Sequence, residues 1–146
     1  MASFSEKHKG PADLAHRVVY IVGPGRAENE LLALLLRQKT RAVCLTKENM
    51  REIEVLSDES IEAPRLVLLD CLGKDAETLL VELESIDTKM FSRDLVVLYN
   101  LRPGLRIEKE AVARGIRGIY YVREPLDRFQ QGIRAIFKGE LWVSGG

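Results

Sequence analysis

The feature that most constrains the fold is a short apolar run that ends abruptly in a polar or turn residue and recurs along the chain. In Arg65-Leu66-Val67-Leu68-Leu69-Asp70, four apolar side chains stand in a row before an acid. A strand with one face in water alternates apolar and polar residues. An unbroken apolar run belongs to a strand covered on both faces, as parallel strands are. Similar runs occur at 17–22, closed by Gly23-Pro24-Gly25, and at 41–45, 95–99 and 118–122. Helical patterns fill the intervals. Residues 27–38 carry Leu31, Leu32, Leu34, Leu35 and Leu36, and 75–85 carry Leu79, Leu80 and Leu83 at helical spacing. A short helix is expected at 47–53 with Thr46 as its cap, followed by an acidic loop, and another at 107–114 stopped by Gly115. The last helix opens at Pro125, turns Phe129, Ile133, Ile136 and Phe137 inward and ends at Gly139. Five strands alternating with helices predict a three-layer α/β sandwich around a parallel sheet. Right-handed crossovers favour the doubly wound, flavodoxin-like strand order 2-1-3-4-5.

A length of 146 residues suits one domain with a real core. The 22 Lys and Arg equal the 22 Asp and Glu, so net charge gives this segment no global pull toward nucleic acid or an anionic membrane, and neither direct nucleic-acid binding by this segment nor membrane binding is expected. The longest apolar stretch, 31–36, is far short of a membrane span, and the polar residues 1–16 lack a signal-peptide core. These features point to the cytoplasm. Residues 1–16, with His8 and His16, read as a flexible leader, 17–140 as the folded domain and 141–146 as the start of a linker. Cys44 and Cys71 lie in or beside strands and read as buried free thiols, and no Cys or His cluster has zinc spacing.

In such sheets, ligands and reactive groups gather at the carboxyl ends of the strands. The positions that decide function are therefore Gly23-Pro24-Gly25, Asp70, Tyr99-Asn100 and Arg123. Gly23-x-Gly25 lacks the rest of any phosphate-loop motif and reads as a turn. No nucleophile–base pair can be placed at this edge, so no enzyme activity is expected.

The segments Gly115-Ile116-Arg117-Gly118-Ile119-Tyr120-Tyr121-Val122-Arg123-Glu124 and Gly139-Glu140-Leu141-Trp142-Val143-Ser144 resemble the end of a response-regulator receiver domain of the LuxR type. The resemblance extends over residues 17–144. It implies a signalling module followed by a helix-turn-helix domain. Such receivers bind Mg²⁺ through an acidic pair after the first strand and accept phosphoryl on an aspartate after the third. They grip the phosphoryl group with a Thr or Ser after the fourth strand and a Lys after the fifth. Asp70 matches the acceptor, whereas Gly23 and Pro24 stand at the acidic pair, Tyr99 at the hydroxyl position and Arg123 at the lysine position. Magnesium needs hard oxygen ligands, and phosphoryl transfer to a carboxylate needs that metal. Glu28 and Glu30 lie on the following helix and are poor substitutes. A degenerate receiver is thus expected, with no cofactor, no metal and an Arg123–Asp70 ion pair, Tyr99 being either a switch aromatic or a packing residue. Tyr120 and Tyr121 should point to opposite faces of their strand as packing residues.

The resemblance also implies partners: a second copy, or a docking protein, engaged through the fourth- and fifth-helix face, and an attached DNA-binding domain. Two further readings stay open. Trp142 and Ser144 are similar to the motif of the CsgD/VpsT-like subgroup, which has degenerate receivers and binds cyclic di-GMP, although Val143 departs from that motif and Gly145 stands where its arginine falls. Asp70 could also still be phosphorylated by an unusual route.

Overall fold

The computed structural model describes residues 14–56 and 64–144. The acidic loop expected after the second helix, most of the leader and Gly145 lie outside the described residues. The elements run β1 (Val18–Val22), α1 (Arg26–Thr40), β2 (Val43–Lys47), α2 (Met50–Glu54), β3 (Leu66–Asp70), α3 (Ala76–Ser85), α4 (Thr88–Arg93), β4 (Leu95–Leu101), α5 (Glu108–Arg114), β5 (Gly118–Tyr121), α6 (Leu126–Phe137) and β6 (Trp142–Val143). The strands form one parallel sheet in the order β2-β1-β3-β4-β5-β6.

The sheet divides the core in two. Val19, Ile21, Leu66, Leu68, Val97 and Tyr120 face α1 and α6 and pack on Ala33, Leu36, Phe129, Ile133 and Ile136. Their neighbours Tyr20, Val22, Val67, Leu69, Val96, Leu98 and Ile119 meet Ile53, Leu79, Leu83, Met90 and Ala111 on the opposite side. Every residue of β3 is buried, as a central strand covered by two helical layers must be. Tyr120 and Tyr121 do part to opposite faces: Tyr120 stacks on Phe129 with ring centroids 4.1 Å apart, and Tyr121 joins the other layer.

Four local expectations are corrected. The sheet has a sixth strand, because Trp142 and Val143 pair with Gly118 and Ile119 where a linker was expected. At the other end, Leu14 of the expected leader is buried in the α1–α6 layer. Helix α2 is capped by Asn49, not Thr46. The Asn49 side chain accepts from the Glu52 N–H at 3.2 Å, and Glu52 Oε2 accepts from the Asn49 N–H at 3.3 Å, a reciprocal box that satisfies two orphan donors. Helix α4, opened by Asp87 accepting from the Lys89 N–H at 3.0 Å, was not expected at all.

Strand β4 also continues through Asn100 and Leu101, with a register irregularity between Leu98 and Leu101. Asn100 takes a left-handed conformation with φ 58°, which Asn tolerates better than most residues. That irregularity shapes the carboxyl edge of the sheet.

Candidate functional site at the carboxyl edge

Strand β3 delivers Asp70 to the carboxyl edge, where it is 6% exposed. Its Oδ1 accepts from the Leu72 N–H at 2.9 Å and from Asn100 Nδ2 at 3.2 Å. The rest of the side chain leans on Gly23. A Cβ placed on Gly23 would stand 2.6 Å from Asp70 Cβ, 3.2 Å from its Oδ2 and 3.3 Å from Asn29 Nδ2. Real atoms do not approach so closely, so any side chain at position 23 and the observed Asp70 position exclude each other. The glycine is thus more than a turn residue: its missing side chain is the space the acid occupies.

Asn29, which the sequence reading passed over, is 2% exposed within α1. Its Nδ2 donates to the Gly23 carbonyl at 3.4 Å, and its Oδ1 accepts from the Tyr99 hydroxyl. A signal for it existed, since Asn29, Ala33, Leu36 and Thr40 form the buried stripe of the helix. Tyr99 is 3% exposed, its ring edge-on to Phe129 with centroids 6.3 Å apart. Burial, followed by the neighbouring Asp70 charge, raises its phenol pKa well above the ordinary value, so Tyr99 stays protonated and is a fixed donor. In this position Tyr99 both packs against Phe129 and makes one specific hydrogen bond.

Arg123 does not pair with Asp70. It is exposed beyond β5 in a left-handed conformation with φ 63°, and among the described residues no carboxylate lies within ion-pair distance of it. The neutral amide of Asn100 takes the place expected of the guanidinium. Arg123 instead lines a cleft of about 290 Å³ with Glu28, Tyr99, Asn100, Leu126 and Phe129.

A receiver-type magnesium site does not fit these residues. Gly23 and Pro24 bring no side-chain oxygen, and Asn29 Oδ1 already accepts from Tyr99. Glu28 brings a second carboxylate to this edge: a Cβ on Gly25 would lie 3.2 Å from Glu28 Oε2 and 3.9 Å from Asp70 Oδ2. Glu30 instead meets Arg26 at 3.4 Å on the exposed side of α1. No group of three or more acidic, His or Cys side chains able to hold a metal forms among the described residues. Cys71 and Cys44 are both free and buried, and burial pushes their thiols up to about 12 and about 11, which keeps them protonated and unreactive.

Away from this edge, Trp142 and Ser144 are brought together. The indole Nε1–H donates to Ser144 Oγ at 2.7 Å, and Ser144 is 1% exposed. The Arg128 guanidinium stands 5.8 Å from the indole centroid. No helix of the described residues is long and apolar enough to cross a membrane.

No family model matches the sequence, and no curated protein shows significant similarity to it. Solved structures do. The regulatory domain of the master biofilm regulator CsgD superposes with a TM-score of 0.58 at 21% identity, over 88% of this chain and 92% of that one. A LuxR family DNA-binding response regulator from Silicibacter pomeroyi gives 0.65 at 16% identity, over 88% and 96%. The non-phosphorylated receiver domain of the stress response regulator RcsB from Escherichia coli gives 0.63 at 14% identity, over 89% and 99%. The chain has the fold of a receiver domain.

Proposed function

We propose that this receiver-fold chain is a non-catalytic signal-receiver domain that controls an attached or partner DNA-binding output through dimerisation or docking, without ordinary Mg²⁺-dependent aspartyl phosphorylation. The observation that carries the reading is the packing of Asp70 into the space above Gly23 while Leu72 and Asn100 hold its Oδ1. An acid so placed has lost both the metal ligands and the cationic partner that acyl-phosphate formation needs. The resemblance to a LuxR family DNA-binding response regulator supports a DNA-binding output. The test is a titration with beryllofluoride and Mg²⁺, which together mimic a phosphoryl group on aspartate, followed by amide chemical shifts. Resonances of Asp70, Asn100 and Gly23 should stay in place. Saturable shifts centred on Asp70, or mass-spectrometric labelling of Asp70 by acetyl phosphate, would establish a working phosphoryl receiver instead.

Cyclic di-GMP sensing is the second reading. Trp142, Ser144 and the Arg128 guanidinium support it, because an aromatic face and an arginine gathered in one place suit a guanine base and its phosphate. Against it, the indole N–H is already engaged by Ser144. Calorimetry with cyclic di-GMP on a chain extended beyond Gly146 decides the matter, and an absence of heat at high micromolar ligand ends the idea.

A further inference from the structure

Although the net charge is zero, the fold gathers cations on one local surface. At the amino ends of the strands, between the last turns of α1 and α6, segments 14–17, 37–43 and 134–140 bring together Arg17, Arg37, Lys39, Arg41, Arg134 and Lys138, with Glu140 as the one carboxylate. Arg117, immediately before β5, adds a seventh cation.

Contacts tie these segments into one surface. Arg134 reaches from α6 to donate to the Lys39 carbonyl at 3.2 Å, and Arg17 lies 5.1 Å from the centroid of the Phe137 ring. Arg117 donates to the Gly139 carbonyl at 2.8 Å, and the Arg17 carbonyl accepts from the Val43 N–H at 2.9 Å, just past Arg41. Among the described residues none of the seven lies within 4.0 Å of a carboxylate oxygen. The five ion pairs between described side chains all lie elsewhere. Towards β3 and β4 the same end of the sheet carries Glu84, Asp87 and Asp94 as well, so the basic surface is the part of it between α1 and α6.

We propose that this basic end is a phosphate-contacting surface that lies against the backbone of duplex DNA and contributes sequence-independent affinity. Three features favour a nucleic acid over an acidic protein. Five of the seven cations are arginines, and of these Arg37 and Arg41 are exposed, with planar guanidinium forks that suit phosphate oxygens. Apart from Val43 and Gly139, the exposed residues of the three segments are charged or polar, whereas a protein interface relies on buried apolar and aromatic anchors. The cations also come from four separate elements or their flanks and so spread over a surface, as contact with successive phosphates requires. The inference concerns this segment's own contact with DNA and does not depend on how Asp70 behaves.

The test is fluorescence anisotropy of a labelled, arbitrary-sequence duplex of about 20 base pairs with the whole 146-residue chain. Binding at about 20 mM salt should weaken at least tenfold by about 100 mM, since each phosphate neutralised contributes about −0.9 to the slope of log K against log salt. The triple change Arg37→Gln, Lys39→Gln, Lys138→Gln removes three exposed cations and should flatten that slope by about two to three. The matched control Arg26→Gln, Arg102→Gln, Lys109→Gln removes the same charge from exposed positions elsewhere and should leave the slope nearly unchanged. If the triple variant melts early, Lys39→Gln and Lys138→Gln singly, each flattening the slope by about 0.9, carry the same test. Three results overturn the proposal. One is no binding at about 20 mM salt, and another is equal loss in both triple variants. The third is binding to poly-glutamate at least as tight as to the duplex, which assigns the surface to an acidic protein.

Discussion

The Asn100 amide donates to Asp70 Oδ1 at 3.2 Å from a left-handed backbone, so one residue supplies both a hydrogen bond and an unusual turn of the chain. The two contributions separate by substitution. Asn100→Gly keeps the conformation and loses the bond, at a cost of about 0.5–1.5 kcal/mol. Asn100→Ala loses the bond and also strains the left-handed backbone, adding about 1–2 kcal/mol. Urea denaturation of the two variants should therefore rank Ala clearly below Gly. Equal stabilities would mean that the φ of 58° is not maintained in solution.

Gly23 and Asp70 compete for one volume. Gly23→Ala places a methyl where 2.6 Å separates it from Asp70 Cβ, and overpacking of this kind costs about 1–3 kcal/mol. Asp70→Gly removes the obstructing carbon. In a double-mutant cycle, Gly23→Ala should be markedly less costly in the Asp70→Gly background. Additive losses would show that the two positions do not meet. The same crowding means that returning an acid to position 23 alone does not rebuild a magnesium site, since the new side chain must first displace Asp70.

Five of the six strands were legible in the sequence because parallel strands covered on both faces carry unbroken apolar runs, as β3 does, and the order of those five followed from right-handed crossovers. Asp70 was legible for a related reason: an acid that ends such a run is carried to the sheet edge. What escaped the reading depends on contacts between residues far apart in the chain. Asn29 lies between two glutamates and looks solvent-facing until the Ala33–Leu36 stripe places it in the core. Asn100 looked like loop because the irregularity of β4 has no composition signal. Arg123 was paired with Asp70 on charge alone, yet its left-handed backbone carries it outward. Trp142 and Val143 are too few to show a strand period, and they join the sheet only because β5 offers an open edge.

Among the described residues, Arg65 and Asp94, 29 residues apart, form the most buried ion pair, with side chains 3% and 1% exposed. Arg65 Nε and Nη2 donate to the two Asp94 oxygens at 3.1 and 2.8 Å, and Nη1 donates to the Leu56 carbonyl at 3.0 Å. The hydrogen bond to Asp94 raises the guanidinium pKa above its ordinary value. The pair joins the start of β3 to the start of β4. Removing one partner leaves the other charge buried and unpaired, so Asp94→Ala should cost about 3–5 kcal/mol in chemical denaturation. Replacing both residues with apolar side chains, as in Arg65→Met with Asp94→Leu, should recover much of that loss. A double variant as unstable as the sum of the single ones would contradict this account.

Tyr121 and Glu108 couple stability to pH at both extremes. The Tyr121 hydroxyl donates to Glu108 Oε2 at 2.6 Å, and this bond holds the carboxylate below its ordinary 4.5. A depressed folded value means that the stabilisation is present above the unfolded value and lost as pH falls through the folded one. Tyr121 is pushed up from 10.0 to about 12, first by burial and then by Glu108. A raised folded value means that its contribution is complete below 10.0 and lost as pH rises through about 12. Tyr121→Phe abolishes both limbs. The stability gap between the parent and this variant should therefore be largest near neutral pH and narrow below about 4 and above about 10. A gap constant across that range would refute the coupling.

Gly132 inverts a general rule. A glycine inside a helix ordinarily costs about 0.5–1 kcal/mol relative to alanine, so Gly→Ala there usually stabilises. In α6, however, a Cβ on Gly132 would run into the Tyr120 hydroxyl and stand 2.7 Å from Trp142 Nε1. Neither obstacle yields freely. The Tyr120 hydroxyl donates to the Phe129 carbonyl at 2.7 Å with its ring stacked on Phe129, and the indole is held by Ser144. Of the two, Trp142 sits on the two-residue edge strand and has the weaker anchorage. Gly132→Ala should accordingly destabilise the chain and release β6 before it disturbs β5. Trp142 is the only tryptophan, so fluorescence reports the change directly: emission should shift to the red, and iodide quenching should rise, at denaturant concentrations where far-UV circular dichroism is still native. An alanine variant as stable as the parent, with unshifted emission, would show that α6 and Trp142 are not in the close contact described.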